Sequence, residues 1–181
     1  MQTWEEVFTP PLLEVIRDQI KYLKYEPHGS GIKGSNNNFL YSGELISIRF
    51  WQYLFDKIVT KIPIKERKVM RCYVNKYPPN TFSDWHKDNI DGKVSKTIIF
   101  YPDTEGASTV FERKEIQYKQ NRLLYFNAGL LHKTNINDTN KDRHTLVYKI
   151  ISYIHYYHLM IQEYYLQLQN LILKDSKKKK K

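Results

Sequence analysis

Apolar side chains recur along this chain with two different periods, and the change from one to the other divides it. Leu12, Ile16, Ile20 and Leu23 fall three or four residues apart. That spacing predicts a helix over residues 10–25, with Thr9 ahead of it and Pro10 and Pro11 in its first turn. Further upstream, Thr3 and Glu6 have the spacing of a capping box. Ile48, Trp51, Phe55 and Ile58 form a second stripe and predict a helix over 43–61, stopped by Pro63. The stretch 26–38 between them is rich in Gly, Ser and Asn, has no hydrophobic period, and reads as an exposed loop.

From Lys68 the period becomes two. Met70, Cys72 and Val74 alternate with Arg71, Tyr73, Asn75 and Tyr77, so a strand over 68–77 has one apolar and one polar face. The first suits packing under the helices, and the second suits a wet cavity. Short β-branched and aromatic runs predict further strands over 83–88, 95–101, 108–112, 115–118, 122–126, 130–136 and 143–153. Two helices followed by eight strands predict a mainly β fold, a jelly roll or barrel braced on one side by helices. Helical spacing returns in Ile154, Tyr157, Ile161, Tyr164, Leu168 and Leu171. A C-terminal helix over 154–173 would pack on the body or pair with a second copy to give a homodimer. The expected organisation is one domain, 1–174, and a basic tail, 175–181.

Composition changes this picture little. The length of 181 residues suffices for one core and argues against a second full domain. Of the net charge of +10, five units come from Lys177–Lys181, so the basic balance does not by itself mark a nucleic-acid surface. Cys72 is the only cysteine, which excludes an intrachain disulfide and a cysteine zinc site. The residues Met1–Glu6 do not resemble a secretory leader, and no apolar run reaches membrane-spanning length. The expectation is a cytoplasmic protein without a membrane partner.

Candidate chemistry centres on Ser83–Asp88. His86 and Asp88, two apart in a strand, project from one face while Lys87 turns away. His132 follows the strand-like run Arg122–Phe126 and the turn Asn127-Ala128-Gly129, so a second strand can deliver a third ligand. Two histidines and one carboxylate on one side of a metal leave its other positions open, as in non-heme iron(II) oxygenases. Arg143, eleven residues beyond His132, opens another strand-like run.

With these four residues the chain resembles the Fe(II)/2-oxoglutarate-dependent dioxygenase superfamily, whose motif is His-X-Asp, a distal His and a basic residue about ten positions later. The runs 106–112 and 121–127 also resemble its compact prolyl-hydroxylase and phage-type members. The resemblance implies a double-stranded β-helix, the cupin-like jelly roll, with Fe(II) on His86, Asp88 and His132. It implies 2-oxoglutarate chelating the iron, its far carboxylate on Arg143, and O2 as cosubstrate. Tyr77 stands nine residues before His86, as does a pocket tyrosine of the prolyl-hydroxylase branch, and Tyr73 shares its predicted face. Arg71 and Asn75 are further inner-face candidates. Lys149, six after Arg143 and on the same face by strand period, stands where AlkB-like demethylases carry an arginine.

The implied reaction is hydroxylation of a C–H bond in a protein, peptide or small molecule, with decarboxylation of 2-oxoglutarate to succinate and CO2. One alternative is an AlkB-like oxidative demethylase of nucleic-acid bases, suggested by the Asp84–Asp88 run, the basic balance and Lys149. The other is a non-catalytic metal-binding module on the same scaffold. His144 falls on the face opposite Arg143, His155 and His158 read as helix surface, and His28 lies in the loop. The sequence does not name the prime substrate.

Overall fold

The computed structural model describes residues 1–27, 38–64, 68–89, 94–151 and the separate positions 160, 161, 164, 165 and 169. The chain opens with β1 (Gln2–Trp4), α1 (Pro10–Lys21), β2 (Glu26–Pro27), β3 (Leu40–Tyr41) and α2 (Arg49–Lys61). Strands β4 (Val69–Tyr77), β5 (Ser83–His86), β6 (Val94–Tyr101) and β7 (Thr109–Phe111) follow. The last four are β8 (Lys114–Ile116), β9 (Arg122–Asn127), β10 (His132–Thr134) and β11 (Arg143–Ile151).

The strands form two antiparallel sheets, one of seven strands in the order β1-β9-β6-β11-β4-β3-β2 and one of four in the order β5-β10-β7-β8. This is the expected jelly roll. Alternation along the central strands sorts its two cores. Cys72, Val74, Ile98, Phe100, Leu146, Tyr148 and Ile150 point away from the small sheet and pack with Leu13, Ile16, Ile20, Trp51, Leu54, Phe55 and Ile58 of the helices. Tyr73, Ile99, Tyr101, Leu124, Phe126 and Val147 point inward, toward Phe111 and Ile116 of the small sheet. The Tyr148 hydroxyl donates to the Trp51 carbonyl at 2.8 Å, tying α2 to the centre of the large sheet.

Several element boundaries differ from the sequence reading for physical reasons. Gln2–Trp4 is an edge strand paired with Leu123–Tyr125, and Thr3 caps no helix. Helix α1 stops at Lys21, and Leu23 instead packs against the helical core from outside the helix. The stripe it buries is Leu13, Ile16 and Ile20, with Leu12 only partly covered, and Thr9 makes no side-chain cap bond. Helix α2 begins at Arg49 and not at 43. The amides of Ser42 and Leu45 donate to the carbonyls of Val74 and Cys72, holding that segment along β4, and Gly43 has a φ of +72°, outside the helical region. Ile48 is therefore an exposed cap residue, and Leu54 joins Trp51, Phe55 and Ile58 on the buried face.

Residues 28–37, the tail 175–181, and most of the C-terminal segment lie outside the described residues, including His28, His155 and His158. Within 154–173 the described positions are helical and exposed, among them Met160, Ile161, Tyr164 and Tyr165. No helix among the described residues is long and apolar enough to cross a membrane.

Candidate active site

Strand pairing brings the three candidate ligands together. In the small sheet His132 of β10 stands directly opposite His86 of β5, and a register shift follows before Thr134 meets Ser83. Such an irregularity re-aims side chains beside a site. Here the two imidazole centroids lie 4.3 Å apart. Strand β5 ends at His86, so Asp88 does not owe its direction to strand alternation. The amides of Asp88 and Asn89 both donate to the Ala128 carbonyl, at 2.9 and 3.1 Å, and this fastens Asp88 beside the turn that leads to His132.

The ligand atoms of His86, Asp88 and His132 all fall within 4.8 Å of one another. Asp88 Oδ1 is 3.8 Å from His86 Nε2, and its Oδ2 is 3.8 Å from His132 Nε2. Each Nδ1 lies against a backbone carbonyl, Asp84 O at 2.7 Å and Leu130 O at 3.0 Å. A carbonyl only accepts, so Nδ1 of each ring is the protonated nitrogen, and the neutral tautomer presents its Nε2 lone pair to a metal. His132 is buried between Phe111 and Phe126, whose ring centroids lie 5.6 and 5.0 Å from its own. Burial keeps its imidazole below the usual histidine range despite the opposing pull of Asp88. A neutral imidazole is the form that binds metal.

Asp88 is held at both oxygens. The Thr97 hydroxyl donates to Oδ2 at 2.6 Å, and the Lys149 ammonium lies 2.9 Å from Oδ1. Burial by itself would raise this carboxyl, but Lys149, then His132, His86 and the Thr97 bond, hold it at about 2. Lys149 thus belongs to the metal end of the cavity, paired with a candidate ligand. The carboxylate stays ionised and fixed in direction.

The inner wall runs from this end to a buried floor. Register places Lys149 opposite Arg71, Val147 opposite Tyr73, Thr145 opposite Asn75 and Arg143 opposite Tyr77. Tyr73, Asn75, Tyr77, Thr145 and Arg143 all line the cavity that contains His86, Asp88 and His132. Arg71 does not line it; its guanidinium pairs with Glu44 and lies over the Tyr73 ring, 5.1 Å from the centroid. The cavity holds about 30 Å³, room for one or two waters. Two wider hollows of about 370 and 350 Å³ lie along Met1 and contain none of the candidate ligands.

At the floor, Arg143 is 0% exposed, and among the described residues none of its three guanidinium nitrogens has a hydrogen-bond partner. Three rings surround it, Tyr77, Tyr118 and Tyr101, at 4.7, 5.1 and 5.7 Å from the guanidinium carbon. Gly106 closes the cage from below, and a Cβ there would stand 2.6 Å from Arg143 Cγ. The phenols are held neutral, Tyr77 and Tyr101 being raised by burial against the pull of Arg143. Tyr73 is likewise pushed up by burial, to about 12. On the other face of β11, His144 packs against Asp103, with Nδ1 and Oδ2 3.1 Å apart.

Thr97, Tyr101, Tyr118 and Gly106 were not singled out by the sequence reading. Alternation along 95–101 places Thr97, Ile99 and Tyr101 on one face. Tyr118 lies beyond β8, which ends at Ile116 and not at 118 as its run of residues predicts, and Gly106 comes from a loop.

No protein-family model matches the sequence, and no curated protein matches it. Solved structures do. An oxidoreductase of the 2OG-Fe(II) oxygenase family from Burkholderia pseudomallei superposes with a TM-score of 0.66 at 14% identity, covering 81% of this chain and 82% of its own. The fold is that of the 2OG-Fe(II) oxygenases. HygX from Streptomyces hygroscopicus, solved with nickel and 2-oxoglutarate bound, shares this oxygenase fold with a TM-score of 0.65 and 13% identity over 83% of this chain and 82% of its own. A prolyl-4-hydroxylase from Pseudomonas putida shares it at 0.60 and 13%, over 83% and 91%.

Proposed function

We propose that this chain is an Fe(II)- and 2-oxoglutarate-dependent dioxygenase that hydroxylates a C–H bond of a protein, peptide or small molecule. The observation that carries the reading is Arg143, a fully buried cation without a hydrogen-bond partner at the floor of a cavity whose far end holds His86, Asp88 and His132. A buried charge left unpaired is costly, so the site calls for an anion at one end and a metal at the other. A keto acid with a second, distant carboxylate meets both demands.

In this reading His86 and His132 hold iron through Nε2 and Asp88 through its carboxylate, while Thr97 and Lys149 keep that carboxylate ionised and aimed. Bound iron and 2-oxoglutarate supply the oxidising power, with O2 consumed and succinate and CO2 released. Arg143 takes the far carboxylate in two parallel hydrogen bonds, which a planar guanidinium suits. Tyr77 and Thr134, whose hydroxyls lie 3.4 Å apart, line the same cavity as that pair. Phe111 and Phe126 shield His132 from water. Because the cavity is narrow, the side chains around it move apart as the five-carbon dicarboxylate enters.

The prolyl hydroxylases among the structures alike in fold support a hydroxylase over a nucleobase demethylase. Lys149, which suggested the demethylase, is engaged by Asp88. The complete donor set speaks against a module that has lost its chemistry. Anaerobic addition of Fe(II) and then 2-oxoglutarate tests the proposal without knowledge of the substrate. A visible charge-transfer band that disappears in His86→Ala is expected. Metal binding with no such band would refute the cosubstrate assignment.

A further inference from the structure

The two ends of the inner wall differ in exposure. Arg143, Thr145 and Val147 are buried, whereas the Arg71 side chain, opposite Lys149 at the other end, is 42% exposed. Arg71 therefore stands on the rim of the cavity, over the Tyr73 ring that lines it. Its position is fixed. Glu44 accepts from its Nε, and the second Glu44 oxygen accepts from the Cys72 amide at 3.3 Å, so the acid is itself tied to β4. Among the described residues no acceptor meets either Nη group, which leaves the outer edge of the guanidinium fork for another ligand. An ion pair this exposed is weak in water and leaves the guanidinium open to a second anion.

Charge balance points the same way. Lys149, the other cation of the rim, is already engaged by Asp88. With a divalent ion and a dianionic cosubstrate in place, Asp88 and Glu44 leave a single positive charge uncompensated over Lys149, Arg71 and Arg143. We propose that Arg71 is a substrate-binding residue that receives a carboxylate or phosphate group of the prime substrate at the rim, beside Tyr73. The proposal rests on the oxygenase reading for the identity of the reaction, but anion binding at Arg71 is measurable apart from it. A planar fork held at Nε presents its two outer N–H groups to an oxyanion in a fixed direction, which also orients the rest of the substrate toward the metal end.

The test uses the full chain loaded with Ni(II) and saturating 2-oxoglutarate, titrated with inorganic phosphate and, separately, with acetate. Binding is followed through the arginine Nε–H resonances and by calorimetry. Saturable binding in the millimolar range is expected, shifting the Arg71 resonance, and lost in Arg71→Gln while 2-oxoglutarate affinity stays within twofold. Glu44→Gln, which keeps a hydrogen-bond acceptor and removes the competing charge, is expected to tighten phosphate several-fold. Tighter phosphate than acetate identifies a phosphorylated substrate, and the reverse identifies a carboxylate. Unchanged anion binding in Arg71→Gln overturns the proposal, as does anion binding that competes with 2-oxoglutarate and so belongs to Arg143. If 2-oxoglutarate itself does not bind, the oxygenase reading falls, and the same titrations without it still decide whether Arg71 holds an anion.

Discussion

Replacing Arg143 by methionine separates the folding role of this residue from its binding role. The guanidinium is fully buried and makes no hydrogen bond among the described residues. An uncompensated buried charge costs about 3–5 kcal/mol, and the rings of Tyr77, Tyr118 and Tyr101 return about 2 kcal/mol or somewhat more through cation–π attraction. The balance is a penalty of about 1–3 kcal/mol in the ligand-free protein. Methionine keeps a flexible apolar stem against Gly106 and the rings and removes the charge. The expected result is a variant more stable than the parent by about 1–3 kcal/mol, a rise of roughly 2–12 °C in Tm for a chain of this size. Addition of 2-oxoglutarate at a hundredfold excess over its Kd to the Ni(II)-loaded parent stabilises it by about a further 2.7 kcal/mol. The keto acid adds nothing to the variant beyond the effect of the metal. Thermal unfolding with and without ligand measures all four states. A methionine variant less stable than the parent by more than about 1 kcal/mol would show that Arg143 is already satisfied, against the scale above. Undiminished stabilisation by 2-oxoglutarate would move the far carboxylate elsewhere.

Three further outcomes follow from the same geometry. Asp88→Ala removes the carboxylate that both imidazoles face, so the purified variant should retain no iron by elemental analysis; iron content equal to the parent's would remove Asp88 from the ligand set. Gly106→Ala sets a methyl 2.6 Å from Arg143 Cγ and 2.8 Å from its Cδ, and the buried stem has no room to retreat. Calorimetry should show 2-oxoglutarate affinity falling about tenfold, or about 1.4 kcal/mol, with metal affinity unchanged. The Asp88 carboxyl, held at about 2 against an ordinary value of 3.8, contributes stability that is present above pH 4 and lost as pH falls toward 2. Over that window the metal-free parent should lose about 2 kcal/mol more than Asp88→Asn, and parallel acid denaturation curves would contradict the assignment.

Local pattern carried much of this protein into view. Side-chain period is a property of adjacent residues, so the two helices, the strands from β4 onward and the two-faced character of β4 could be read without the fold, while β1, β2, β3 and the sheet order could not. The same holds for His86, Asp88, His132 and Arg143 as a set, because their spacing in the chain is itself the signal. Tertiary structure decided what those residues meet. Helix α2 starts six residues later than its hydrophobic stripe suggests, because hydrogen bonds to Val74 and Cys72, far away in sequence, hold the preceding segment in place. Asp88 owes its direction to the Ala128 carbonyl and to Thr97 and Lys149, and not to the strand alternation that first drew attention to it. Only the folded chain shows Arg143 enclosed by Tyr77, Tyr101, Tyr118 and Gly106 with no acceptor in reach, and Arg71 left at the rim. Those contacts join segments tens of residues apart through sheet register and loop closure, and no period along the chain records which residues they bring face to face.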